Sequence, residues 1–399
     1  MNAVSGLDIY LEIPARALEP GMFVAALDRP WEETPFALQG FNVQNRRDIE
    51  MVCRFCQTVR IDPARRVALA APARSEARGG DRETSLELLP AEFTKAATAD
   101  IETADRAIRK VFGQLERGGT LEVEAMRGAV DALVKRVLQD SHAVAALVRI
   151  RRHGQYLYDH SLCNAVWAAV LGKHLGLPAG DLGALALGAS LVDVGMTRLS
   201  LDPMNKPGAL SPAEMAEVRQ HVDHSIKLVV DAGVDARCVD VVANHHERFD
   251  GSGYPSGLAG HDIPLLARIA GLVDAYDAMI TPRPHAPSRT SFEAMQELWD
   301  GESTRFQREL VEQFIQAIGL FPTGALVELS SGEVGIVVSQ NEARRLKPRV
   351  MLVLDAAKRR YRQLQVVDLS AQPPGQAELW IRAELHEGAH GVHPDEFFL

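Results

Sequence analysis

The chain has 399 residues, 46% of them hydrophobic, enough for two or three domains with real cores. Lys and Arg number 43 against 53 Asp and Glu, and the net charge of -10 excludes a general nucleic-acid binder, which needs a basic face. A small anionic ligand in a local pocket stays open. No run of about 18 apolar residues occurs, so no membrane span is expected. The start, MNAVSGLDIYLEIPARALEPGM, lacks the basic and apolar stretches of a leader. Four cysteines, Cys53, Cys56, Cys163 and Cys238, fit a reducing, cytoplasmic setting. Cys53 and Cys56 form a C-x-x-C with no second pair to complete a zinc site, and both read as packing residues on a helix.

In chain order, residues 1–66 form a small α/β accessory domain: GMFVAAL and TVRID read as strands, with RRDIEMVCRF as a helix between them. Residues 67–85, containing LAAPARSEARGGDRETS, have no apolar period and read as a flexible linker. The helix period dominates 86–320. ADIETADRAIRKVFGQL and AMRGAVDALVKRVLQD are amphipathic; SLCNAVWAAVLGKHLGL and LGALALGASLVDVGM are apolar almost all round and should be central helices. Gly176 and Pro178 stop the first of these central helices. ALVELSSGEVGIVVSQN and RVMLVLDAAKRRYRQLQVVDL give a small β extension over 321–370, and 371–399 read as a loosely held tail. The fold class is therefore mainly α.

Inside the helical part, His160 opens an apolar helix, Asp193 and Asp274 sit among apolar neighbours, His221 opens another helix, and His245 and His246 stand side by side. Asp277 follows Asp274 one turn later. A bare carboxylate in an apolar run is costly unless paired or metal-bound. Each residue alone has an ordinary structural explanation, but together they form a mixed N/O ligand set suited to iron, manganese or zinc. Two such ions about 3.5–4 Å apart make a phosphoester-hydrolysing centre.

The stretch HHERFDGSGYPSGLAGHDIPLLARIAGLVDAYDAM resembles the HD-GYP family, bacterial phosphodiesterases that hydrolyse cyclic di-GMP. YLYDHSLCNAVWAAVLGKHLGLP resembles that family's first metal-binding helix, and the likeness covers about 140–320, the metal core. LEPGMFVAALDRPWEETPFALQGF is similar to an N-terminal domain of undefined function often fused to the family, and FPTGALVELSSGEVGIVV to the β extension that follows it. The resemblance implies an HD-type helical domain with a metal pair. His160, Asp193 and Asp274 fall on the ligands of one ion; Asp193 bridges to a second, also held by His221, His245 and His246. Arg283 falls on a phosphate contact, and Asp250, Gly251, Gly253, Tyr254 and Pro255 form the GYP loop, which in the family also serves protein contacts.

The family's His-Asp step is here Val192-Asp193, its lysine is Met196, a later basic position is Ala286, and Tyr156 stands where three-metal members carry a glutamate. Valine cannot bind a metal, and methionine has no charge for a phosphate. His224, one turn after His221, is a candidate replacement ligand but reads better as solvent-facing. The expectation is fewer than two tightly held divalent ions and an HD-GYP signalling protein with impaired catalysis, acting through cyclic di-GMP, its linear dinucleotide, or a protein partner at the GYP loop or N-terminal domain. The alternative is an active phosphodiesterase using a metal-bound hydroxide.

Overall fold

The computed structural model describes residues 11–29, 41–43, 46–62, 91–150, 155–200, 208–283, 287–299, 304–341, 344, 346–372 and 378–397. The expected linker lies outside them. The chain divides into two compact units, with the main boundary between Leu86 and Glu87.

In the N-terminal unit, β1 (Leu11–Pro14), β2 (Phe23–Leu27), β3 (Phe41–Asn42) and β4 (Thr58–Asp62) form an antiparallel sheet in the order β1-β4-β2-β3. The helix α1 (Arg46–Phe55) places Ile49 and Val52 on one face, three residues apart, where they join Val24, Val59 and Ile61 in the core. The two expected strands and the helix are present; β1 and β3 are additions too short to carry a pattern. One expectation is corrected: Cys56 is buried, but Cys53 is exposed and does not pack.

The second unit begins with α2 (Ala91–Glu116), α3 (Val123–Gln139), α4 (Ser141–Ile150), α5 (Tyr156–His174) and α6 (Ala179–Leu191). It continues through a 3-10 turn (Val194–Arg198), α7 (Pro212–Arg219), α8 (His221–Asp231), α9 (Ala236–Asn244), α10 (Leu265–Ile280), α11 (Ser291–Trp299) and α12 (Arg308–Ile318). The central pair is α5 and α6: every residue from Asp159 to Gly172 is buried, as a helix apolar on all sides must be. The stretch Ala179–Arg198 is apolar enough to cross a membrane but is 78% buried inside the protein, as a core helix is. Asp193 is not within a helix, as the sequence suggested. It lies in the turn between α6 and the 3-10 segment, where Met196 N–H donates to its carbonyl at 2.9 Å.

Strands β5 (Leu326–Leu329), β6 (Val334–Ser339), β7 (Arg349–Leu354), β8 (Arg360–Asp368) and β9 (Ile381–Leu385) form an antiparallel sheet in the order β8-β7-β6-β5-β9. Alternate residues feed two cores, Val337, Val350 and Leu352 on one face and Ile336, Met351 and Val353 on the other. The expected loose tail is therefore corrected. Its β9 pairs with β5, and Val392 is fully buried. Glu384 of β9 accepts from Phe292 N–H at 2.8 Å at the start of α11 and pairs with Arg149 of α4 at 3.2 Å. The sheet and the helices lie within one compact unit.

Candidate metal centre

The ends of α5, α6, α8, α9 and the middle of α10 converge on Asp193. Two groups of ligand atoms, each within 4.8 Å of one another, share its carboxylate: Asp193 with His221, His245 and His246, and Asp193 with His160 and Asp274. These six residues are the ones singled out in the sequence.

The first group is rich in imidazole. His221 Nδ1 lies 2.6 Å from the Val218 carbonyl oxygen, and His245 Nδ1 2.9 Å from that of Val242. A carbonyl can only accept, so each Nδ1 carries a proton, and Nε2 is the nitrogen turned toward the other ligand candidates. Both Nε2 atoms are buried without a hydrogen-bond partner, and His221 Nε2 lies 3.3 Å from Asp193 Oδ1. Buried polar atoms are rarely left unsatisfied. An imidazole held at Nδ1 by a carbonyl, with Nε2 open, is the form in which histidine binds a metal, so these residues fit a divalent ion. Burial lowers the pKa of His245 to about 4 and, with the neighbouring His245, puts His246 well below the ordinary value, so both rings are neutral.

The second group is rich in carboxylate. His160 Nε2 lies 2.9 Å from Asp274 Oδ1 and 3.7 Å from Asp193 Oδ2, while its Nδ1 lies 2.7 Å from Asp277 Oδ2. Burial opposes a charge on this ring, but Tyr156, Asp274 and Asp277 outweigh it and hold the His160 pKa well above the usual range. Burial likewise opposes ionisation of Asp274, yet the hydrogen bond and charge of His160 hold its carboxyl far below the usual carboxylate value. Asp277 is not in either ligand group. It orients His160 and accepts from Trp167 Nε1 at 3.0 Å and Thr281 Oγ1 at 3.1 Å. Its spacing from Asp274 in the sequence did not reveal this role.

The turn carrying Asp193 is pressed onto α8. Ser225 Oγ donates to the Val192 carbonyl and accepts from Gly195 N–H, both at 2.8 Å. A side chain at Gly195 would collide with the His221 carbonyl oxygen, so only glycine fits. Val192 and Met196 are both buried. His224 is half-buried and belongs to neither ligand group.

The GYP loop packs directly against the centre. A Cβ at Gly253 would strike the backbone of His246, Glu247 and Arg248, which fixes this residue as glycine. The Glu247 carboxylate, not singled out in the sequence, accepts from the N–H groups of Ser256, Gly257 and Leu258 at 2.7–3.1 Å and shapes the loop. Asp250 closes a local turn on Ser252 rather than facing the ligands, Gly251 takes a positive φ of 81°, and the Tyr254–Pro255 peptide is cis.

Two tyrosines flank the ligand groups. Tyr156 stacks on His160 with ring centres 5.0 Å apart, and Arg283 lies 5.5 Å over Tyr156. Tyr254 stacks on His246 at 4.6 Å, and Arg219 lies 4.6 Å over Tyr254. Burial raises both phenol pKa values; Asp193 and Asp274 push each the same way, while Arg283 at Tyr156 and Arg219 at Tyr254 oppose it. Arg283 Nε is buried without a partner. Ala286 lies outside the described residues.

The helical core and the ligand set define an HD-type domain, a metal-dependent hydrolase fold. The HD domain profile matches residues 134–310; a domain of unknown function matches 10–126, and a KOW domain associated with HD domains matches 326–374. A cyclic di-GMP phosphodiesterase of Pseudomonas aeruginosa is 31% identical over 372 residues, 90% of this chain and 88% of that protein. A cyclic di-GMP phosphodiesterase response regulator of Xanthomonas campestris is 32% identical over 37% of this chain and 40% of its own length. A 3'3'-cGAMP-specific phosphodiesterase of Vibrio cholerae is 29% identical over 38% of this chain and 30% of its own. The chain belongs to the HD-GYP family.

Proposed function

We propose that this chain is a cyclic di-GMP signalling protein that binds the dinucleotide at one well-held divalent ion and hydrolyses it slowly or not at all. The observation that carries this reading is the asymmetry about Asp193. On one side stand three imidazoles, two with open, buried Nε2 atoms. On the other stands a single imidazole already engaged at both nitrogens by Asp274 and Asp277. Val192 and Met196, the positions where the family carries a further imidazole and a lysine, add neither a ligand nor a charge.

In this reading His221, His245, His246 and Asp193 hold the ion, iron or manganese by ligand type, with zinc a third candidate. When bound, the ion polarises a phosphoryl oxygen and offsets charge developing there. The Val218 and Val242 carbonyls keep His221 and His245 in the required tautomer. Arg283 donates to a phosphate oxygen from beside Tyr156. The missing lysine removes a charge-assisted hydrogen bond worth about 1.5–3 kcal/mol, and the missing ligand weakens the second group by at least the roughly 10- to 100-fold that even outer-shell changes produce. The GYP loop, intact against His246, serves ligand or protein contacts whether or not turnover survives.

A second reading, an active phosphodiesterase, is favoured by one observation: His160, Asp193 and Asp274 are still assembled around the second position. Hydrolysis of cyclic di-GMP and of its linear dinucleotide by wild type, Val192→His, Met196→Lys and the double variant separates the two. Val192→His alone should improve metal binding and raise the rate only modestly. The double variant should exceed the combined singles, because groups in one site are not additive. Its one obstacle is steric, since position 192 is buried and histidine is larger than valine. Wild-type turnover equal to that of the double variant would overturn the impaired reading in favour of the active enzyme.

A further inference from the structure

Each ligand group carries the same three-part stack of imidazole, tyrosine and arginine: His160, Tyr156 and Arg283 on one, His246, Tyr254 and Arg219 on the other. The first arginine falls on a phosphate contact by family position. The second does not, and nothing in its sequence context, the exposed end of a short helix that buries no residue, draws attention to it.

Arg219 ends α7 two residues before His221 and is exposed. Its one contact among the described residues is the ring of Tyr254. Other arginines here spend their donors: Arg248 on the carbonyls of His245 and Glu247, Arg237 on Asp181 and Asp235, Arg109 on Asp105 and Asp159. A cation over an aromatic face is held by the ring quadrupole, which engages none of the five guanidinium N–H donors. Arg219 is therefore positioned with its donors facing solvent rather than tied to protein partners, beside a metal-ligand candidate and over the loop that frames it. A planar donor fork held in this way suits bidentate contact with a phosphate.

We propose that Arg219 is a second phosphate contact, so that Arg219 and Arg283, each braced on a tyrosine beside one ligand group, take the two phosphodiesters of one cyclic dinucleotide. This rests on the cyclic-dinucleotide reading above. It also compensates for Met196: the cation lost from the turn after α6 is replaced by one reaching over the GYP loop.

The test is calorimetric binding to the full chain loaded with manganese at fixed salt, with two probes. Cyclic di-GMP has two phosphodiesters; the dinucleoside monophosphate GpG has one. Arg219→Ala should weaken cyclic di-GMP binding about 10- to 100-fold, the range expected for a charged hydrogen bond, and leave GpG binding within about twofold. Arg219→Lys, which keeps the charge without the fork, should fall between wild type and Arg219→Ala. Arg283→Ala should weaken both probes by about tenfold or more. Manganese content should be the same in wild type and the Arg219 variants. Unchanged cyclic di-GMP affinity in Arg219→Ala overturns the proposal and leaves the reading intact. So does equal loss for both probes, or loss of manganese, since either would show that Arg219 acts by supporting Tyr254 and His246. A wild-type chain that binds no cyclic di-GMP overturns the reading, and the proposal with it.

Discussion

The two ligand groups share a carboxylate and differ in how their histidines are tied. In the group of His221, His245 and His246, the rings of His221 and His245 each spend the Nδ1 proton on a backbone carbonyl and leave Nε2 without a hydrogen-bond partner. In the group of His160, the ring sits between two carboxylates, Asp274 at Nε2 and Asp277 at Nδ1, and its pKa is raised rather than lowered. Burial pushes His160, His245 and His246 alike toward neutrality, and at His245 and His246 it prevails. The balance decides the outcome: at His245 burial outweighs the pull of Asp274 and Asp193 and leaves the ring neutral, whereas a carboxylate hydrogen-bonded to each nitrogen of His160 favours the imidazolium. A second imidazole at position 192 would add a neutral ligand to the carboxylate-rich side, and valine does not.

This contrast sets the order of expected effects. The largest belongs to the imidazole-rich group. His245→Ala should remove most of the tightly bound metal, a loss of about 100-fold or more in affinity, whereas His160→Ala should change total metal content little. Elemental analysis of the two variants after dialysis measures this directly, and equal losses would break the comparison. A smaller effect belongs to Asp277, which holds His160 and accepts from Trp167. In a Val192→His background, where the second group regains a ligand, Asp277→Asn should lower metal affinity there by about tenfold, the usual cost of losing an orienting carboxylate. Metal titration of the two backgrounds checks it; no difference would mean that His160 is oriented by Asp274 alone.

The sequence made much of this legible, and the reasons for its limits are physical. The six ligand candidates stood out because histidines and carboxylates embedded in apolar helices demand an explanation. Helix α1 was readable from its apolar period, and α5 and α6 from their lack of a polar face. Strand β9 was not, because IRAEL leaves part of its length exposed at the sheet edge and resembles a polar tail. The position of Asp193 was misread because its apolar neighbours continue the pattern of α6 past the point where the backbone turns. Asp277, Glu247 and Arg219 escaped for a shared reason. Each acts on a partner far away in the chain or across a loop, His160, the 256–258 amides and Tyr254 respectively, and no local spacing encodes such a contact.

The most direct measurement is metal occupancy, site by site, in crystals of the full chain grown with manganese or iron, using anomalous scattering together with elemental analysis of the same preparation. Fewer than two tightly held ions per chain are expected, with density concentrated among His221, His245, His246 and Asp193. Two fully occupied positions, one of them between His160 and Asp274, would contradict it.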